Sequence, residues 1–282
     1  MNVFHQKKEL INYLTGLKKK GLQTGFVPTM GALHSGHLAL VKTSLQDNDI
    51  TVVSIFVNPT QFDKPDDLKK YPRTFEQDLN LLAELNKDII VFHPDANDFY
   101  DGNIASQTFD FEGLELEMEG KFRPGHFDGV ATVVKKLFEI VKPDKAYFGE
   151  KDFQQLQIIR KLVEKEQLPL KIIPVPIYRE PDGLAMSSRN RRLTPRHRTA
   201  APFIYQVLKQ AKLLFEHYDI QRVKKFVYDA IAAHPLLQIE YFEIADEKNL
   251  KPAQSKISGN NYRGFIVVYA GDIRLIDNIR LT

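Results

Sequence analysis

The chain contains no cysteine. That excludes disulfides, a thiol nucleophile, and thiolate-held zinc or iron–sulfur centres. It also lacks any apolar run approaching the roughly 18 residues of a membrane span. Its net charge of +3 is too small to argue for nucleic acid as a partner. Two common nucleotide fingerprints are missing. Gly16 and Gly21 have P-loop spacing, but Leu22 and Gln23 stand where Lys and Ser or Thr are needed. No G-x-G-x-x-G follows a strand. The first twenty residues are Lys-rich and amphipathic, with Leu10, Ile11, Leu14 and Leu17 on one face. Glu9 is present, and no apolar core or small-residue cleavage site follows. The segment reads as a core-packing helix, not a targeting peptide. The lack of cysteine is compatible with a cytoplasmic protein, and neither a membrane nor nucleic acid is expected as a partner.

At 282 residues, 43% hydrophobic and 27% charged, the chain has room for two domains or one large one. Strand and helix signals alternate over its first 177 residues. Strands are expected at 24–28, 50–57, 88–93, 145–148 and 170–177, with helices at 36–46, 74–86, 128–141 and 153–167. Thr74 is a plausible N-cap for the second of these helices. This alternation predicts an α/β, Rossmann-like fold: a mainly parallel, doubly wound sheet with helices on both faces. Residues 95–124 break the pattern and read as an insertion with a short strand near 107–111. From residue 178 the character changes to a polar turn, a basic segment, two helices and two or three β-rich runs, at 238–245, 264–269 and 273–279. That predicts a smaller carboxyl-terminal α+β domain over 178–282.

Ligands of such sheets bind beyond the carboxyl ends of the strands. Three polar segments follow strands here and should share one crevice. The first is PTMGALHSGH, in which His34 and His37 flank Ser35 and Gly36 at a helix start. A helix N-terminus offers free N–H groups to a phosphate, and two imidazoles add donors. A helix cap with solvated histidines and a two-histidine metal site are the alternatives. The second is VNPTQF. Gln61 could orient a hydroxy acid without adding charge, and Phe62 could supply an apolar wall. The third is GEKDFQQ, in which Lys151 suits a phosphate as a point charge and Gln155 lies one helical turn beyond it. Asp66, Asp67 and Asp78 are carboxylates available to Mg²⁺, with Asp78 the candidate ligand. Downstream, Ser187, Ser188 and Arg189 suit a polyphosphate. Arg191, Arg192, Arg196 and Arg198 follow, and leave an RNA-contacting turn as a competing reading.

Taken together, PTMGALHSGH, VNPTQF, YPRTFEQD, EGKFRPGHFDGV, YFGEKDFQQL and REPDGLAMSSRN resemble the pantoate–β-alanine ligase (pantothenate synthetase) family, in that order and over nearly the whole chain. HxGH alone would indicate only the wider HIGH-containing nucleotidyl-transfer superfamily. The resemblance implies a ligase of pantothenate and coenzyme A biosynthesis. It would form pantoyl adenylate from ATP and (R)-pantoate, release pyrophosphate, then pass the acyl group to β-alanine and release AMP. A homodimer and Mg²⁺ are implied, with residues 1–177 binding ATP and pantoate and 178–282 acting as a lid. His37 would be the proton donor, with His34 and Lys151 beside it in catalysis. ATP would engage Met30, Gly31, Ala32, Leu33, His34, Ser35, Gly36 and His37. Gly149, Glu150, Lys151, Asp152, Tyr178, Met186, Ser187, Ser188 and Arg189 would complete that set. Gln61 and Gln155 would bind pantoate, with Asn58, Glu119 and Arg123 as further substrate positions. Tyr178 departs from the shorter aliphatic residue common there, which would alter the adenine wall.

Overall fold

A computed structural model of the chain describes residues 1–61, 68–69 and 71–282. The sequence-predicted Phe62, Asp66 and Asp67 lie outside the described residues. The chain divides into two compact units. The first comprises Met1–Glu115, Glu119–Glu150 and Gln155–Pro176; the second comprises Leu116–Met118, Lys151–Gln154 and Ile177–Thr282. Relative to a single boundary at 177/178, Ile177 and two short excursions belong with the second unit.

The first unit is built on six parallel strands: β1 (Asn2–Phe4), β2 (Thr24–Thr29), β3 (Ile50–Ile55), β4 (Ile90–Phe92), β5 (Lys145–Gly149) and β6 (Lys171–Val175). Their spatial order is β1-β4-β3-β2-β5-β6. The order runs outward from β2 in one direction and from β5 in the other, so the sheet has its switch point between β2 and β5. All six β3 residues are buried, the continuous apolar run of a parallel strand covered on both faces. The connecting helices are α1 (Lys7–Lys18), α2 (Ser35–Asp47), α3 (Phe75–Leu85), α4 (Ala96–Tyr100), α5 (Met118–Phe122), α6 (His126–Val141) and α7 (Phe153–Lys165). Helix α2 lies close against β2 because Gly25 has no side chain. A Cβ there would sit 2.2 Å from Ser44 Oγ and 2.4 Å from Asn48 Nδ2.

Three local expectations are corrected. Strand β1 precedes α1, where the sequence suggested helix alone. Within α1, Leu10 and Leu14 are buried while Ile11 is exposed. No strand forms at 107–111. The Gln107 N–H donates instead to Thr132 Oγ1 (2.9 Å) and the Phe109 N–H to Asp128 Oδ1 (3.0 Å). Side chains of α6 thus take the donors a ladder would have used.

The second unit carries a three-stranded antiparallel sheet: β7 (Leu237–Asp246), β8 (Tyr262–Ala270) and β9 (Ile273–Arg280). With it go α8 (Pro195–Ala200), α9 (Phe203–His217) and α10 (Ile220–Ala232). Helix α10 is capped by Asp219, which accepts from the Arg222 N–H. It buries Ile220, Val223, Val227 and Ile231, one helical stripe, in a core shared with Val207, Leu208, Phe242 and Ile266. Among the described residues no helix is long and apolar enough to cross a membrane.

Candidate active site

In the first unit the loop after β2 is held by side chains distant in sequence. Thr29 Oγ1 donates to Ser54 O (2.7 Å) and accepts from the Gly31 N–H (3.2 Å). Gly31 and Ala32 both have positive φ, +79° and +51°. The second is a strained conformation for a residue with a Cβ. Asp78 stabilises it. Its Oδ2 accepts from the Ala32 N–H (3.0 Å) and its Oδ1 from the Leu33 N–H (2.8 Å) and the Thr74 hydroxyl (3.2 Å). The Asp78 side chain is 1% exposed, and a Cβ on Gly31 would lie 3.0 Å from its Oδ2.

These bonds deliver His34 as the extended N-cap of α2. Its Nδ1 accepts from the Gly36 N–H at 3.2 Å, so the neutral ring carries its proton on Nε2. The His34 and His37 rings stack at 4.0 Å with 22° between planes. Ser35 and Gly36 open the helix between them. The cap and the histidine pair are therefore one object: a helix start with two stacked imidazoles, suited to an anionic oxygen.

Beyond β3, Asn58 is 1% exposed and acts as a hub. Its Oδ1 accepts from Tyr100 Oη (2.6 Å), Thr60 N (3.3 Å) and Thr60 Oγ1 (3.1 Å). Its Nδ2 donates to Gln61 Oε1 (3.2 Å) and Gly129 O (3.3 Å). The Gln61 amide then donates to Met30 Sδ at 3.1 Å, joining the second motif to the first. The Gln61 carbonyl accepts from His126 Nδ1 (3.0 Å) and Arg123 Nη2 (3.4 Å). Arginine only donates, so its 3.0 Å contact with His126 Nε2 fixes the imidazole with its proton on Nδ1. Burial raises the Tyr100 hydroxyl above its ordinary pKa of 10.0, partly offset by Thr60.

Gly149 ends β5 and Glu150 follows it, and Gln155 lies half-buried on α7. Glu119 is half-buried on α5. Tyr100, His126 and Gly129 are the positions that motif reading missed. His126 and Gly129 stand inside the quoted EGKFRPGHFDGV, but nothing local says what they touch.

The remaining predicted residues belong to the second unit. Lys151 Nζ lies 3.5 Å from Asp152 Oδ1, and the Lys151 carbonyl accepts from Asn278 Nδ2 at 2.9 Å. The segment from Tyr178 to Met186 folds back on itself, with the Met186 N–H donating to Tyr178 O (3.0 Å). Tyr178 is 44% exposed. Ser187 Oγ accepts from the Arg189 N–H (3.3 Å) and caps the short 3₁₀ turn Ser188–Arg192. Asn190 braces that turn through Glu180 Oε1 (2.7 Å) and Ala185 O (3.1 Å). Arg198 pairs with Glu180 Oε2 (2.6 Å) and Asp182 Oδ2 (2.5 Å). Arg198 therefore serves the turn internally and is taken up before any RNA contact.

Asp78, the expected metal position, is buried with its two oxygens accepting two main-chain N–H groups and the Thr74 hydroxyl, an arrangement that favours anchoring the loop over holding an ion. Among the described residues no group of three or more His, Cys, Asp or Glu side chains could hold a metal ion.

A parallel sheet with a histidine-bearing helix start at its switch point is the architecture of an α/β nucleotide-binding enzyme. Sequence comparison narrows this. The pantoate–β-alanine ligase family profile matches residues 2–280, and the chain belongs to that family. It is 55% identical over 281 residues to a pantothenate synthetase of Christiangramia forsetii, covering 100% of this chain and 99% of the relative. It is 54% identical to that of Flavobacterium psychrophilum, covering both chains fully. Among solved structures, the pantothenate synthetase of Thermus thermophilus superposes with a TM-score of 0.90 at 38% identity, covering 100% of this chain and 99% of the other. The pantoate–β-alanine ligase of Francisella tularensis, complexed with β-γ ATP and β-alanine, gives 0.82 at 37% identity, covering 100% and 98%.

Proposed function

We propose that this enzyme joins (R)-pantoate to β-alanine at the expense of ATP, through pantoyl adenylate. The observation that carries the reading is the Gln61–Met30 contact at 3.1 Å. It couples the residue expected to hold the acid to the loop expected to hold the nucleotide, which is what acyl adenylation requires. Family membership and the ATP- and β-alanine-bound Francisella relative support the same substrates.

In the first step a pantoate carboxylate oxygen attacks the α-phosphorus. A P–O bond forms, the α–β bridging bond breaks, and pyrophosphate leaves. Gln61 and Gln155 orient the acid without adding charge, and Asn58, Arg123 and Glu119 shape its surroundings. His34 and His37 donate to phosphate oxygens, with His37 supplying the proton. Met30, Gly31, Ala32 and Leu33 carry the nucleotide loop; Gly149, Glu150, Asp152, Tyr178 and Met186 contact ATP. Lys151, Ser187, Ser188 and Arg189 offset the charge of the departing pyrophosphate. In the second step the β-alanine nitrogen attacks the acyl carbon. The ammonium first gives up one proton; a C–N bond then forms, the acyl C–O bond breaks, AMP leaves, and the nitrogen sheds a second proton, with water or the substrate phosphate as the acceptor. Mg²⁺ would travel with the ATP phosphates and offset part of their charge. A cytoplasmic homodimer completes the reading.

The test is ATP–pyrophosphate exchange with substrates omitted in turn. Exchange should require pantoate and not β-alanine, with AMP released only when β-alanine is added. Exchange that needs β-alanine would rule out a free adenylate. His37→Ala and Lys151→Ala should each lower turnover by roughly 10²–10³, the range for losing one preorganised donor. Near-normal turnover would remove them from these roles.

A further inference from the structure

Two ATP-binding segments of the second unit, remote from each other in sequence, are fastened to one dipeptide of β9. Asp277 and Asn278 are both buried, at 6% and 1% exposure. Asp277 receives Arg179 fork to fork: Nη1 to Oδ2 at 2.7 Å and Nη2 to Oδ1 at 3.0 Å. The same guanidinium donates to Asn278 O (3.3 Å) and Gly183 O (3.1 Å) and lies 3.6 Å over the Tyr205 ring. Arg179 and Ala185 are paired across the turn that leads into Met186, Ser187, Ser188 and Arg189. Asn278 serves the other segment. Its Nδ2 donates to the Lys151 carbonyl (2.9 Å), and its Oδ1 accepts from Arg263 Nη1 (2.6 Å).

Neighbouring strand residues point to opposite faces, so adjacent side chains can hold two different segments. Stability alone does not explain the pair. Burial raises the Asp277 pKa above its ordinary value even with Arg179 beside it. A buried ion pair is commonly no more stabilising than apolar residues of similar volume. What the polar pair provides is direction, since a bidentate guanidinium and an amide each fix a main-chain course.

We propose that Asp277 and Asn278 are positioning residues for ATP. Asn278 sets the turn bearing Lys151, and Asp277, through Arg179, sets the turn bearing Ser187 to Arg189. The inference rests on the reading of Lys151 and Arg189 as ATP ligands.

A double-mutant cycle tests it by pantoate-dependent ATP–pyrophosphate exchange. Asn278→Asp keeps the acceptor for Arg263 and removes the N–H offered to Lys151. It should lower kcat/KM for ATP by about 10-fold or more, the scale of a small misplacement, and leave the pantoate KM unchanged. In a Lys151→Ala background the same change should cost less than about 2-fold, because its route of action is gone. Arg179→Lys should depend on Arg189→Ala in the same way. Should Asn278→Asp not fold, Asn278→Gln keeps the amide, displaces it by one methylene, and should show the same background dependence. Wild-type kinetics in the Asn278 variants, or equal losses in both backgrounds while Lys151→Ala is itself impaired, would overturn the inference alone. An unimpaired Lys151→Ala enzyme would remove the ATP reading of that lysine and the inference with it.

Discussion

Asp78 shows how one side chain can set the geometry of a site without carrying its chemistry. A buried carboxylate is costly unless its oxygens are satisfied. Here each oxygen takes a main-chain N–H from the loop that leads to His34, and the left-handed Ala32 is held in place by those bonds. Asp78→Asn replaces one acceptor with an N–H₂ group that faces another donor. It should destabilise the protein by about 1–3 kcal/mol in urea unfolding. It should also raise the KM for ATP more than that for pantoate, because the loop it holds precedes the histidines. A variant with unchanged ATP KM would mean that the loop keeps its course without this anchor. Tyr100 and His126 act on the Asn58–Gln61 segment in the same indirect way, one through Asn58 Oδ1 and the other through the Gln61 carbonyl.

Between elements, a close backbone constraint lies where α6 meets the turn carrying Gln61. Gly129 stands in the first turns of α6, and a Cβ there would come within 2.3 Å of Thr60 O and 2.9 Å of Gln61 Cα. These are backbone atoms, so they cannot swing aside. Gly129→Ala should cost about 1–3 kcal/mol by overpacking and raise the pantoate KM, measured by urea unfolding and steady-state kinetics. An unaltered KM would show that the turn shifts without consequence. A second constraint ties β5 to the end of α2. The Tyr147 hydroxyl accepts from Asn48 Nδ2 (2.7 Å) and donates to Asp47 Oδ2 (3.1 Å). Burial pushes its pKa from 10.0 up to about 12. An acid held above its ordinary value keeps its proton when folded after the unfolded chain has lost it. This contribution is therefore fully present below about pH 10 and is lost as pH rises to about 12, amounting to about 2–3 kcal/mol. The Tm of Tyr147→Phe should fall less steeply than that of the wild type over this alkaline range. Parallel slopes would assign the alkaline loss to other groups.

At the scale of the molecule, the proposed homodimer is tested directly by light scattering, which should return twice the 32.5 kDa chain mass. A single chain mass at micromolar concentration would overturn it. The alternating strands were legible in the sequence because buried parallel strands read as apolar runs, as ITVVSI does in β3. The segments carrying His34, Gln61, Lys151 and Ser187 were legible because each is a short local motif. Strand β1 was not, since three residues are too few to show a period. The expected strand at 107–111 failed because Thr132 and Asp128 take its N–H groups, and no local pattern records a partner on another element. The same reason separates the motifs from their supports. Residue type and spacing are local properties, and by themselves they determined the fold class and the family and nominated the side chains proposed to carry the chemistry. Asp78 beneath Ala32, His126 on the Gln61 carbonyl and Asn278 on the Lys151 carbonyl are long-range contacts. Only the folded chain decides them, because a hydrogen bond depends on where two groups meet in space and not on their order in the chain.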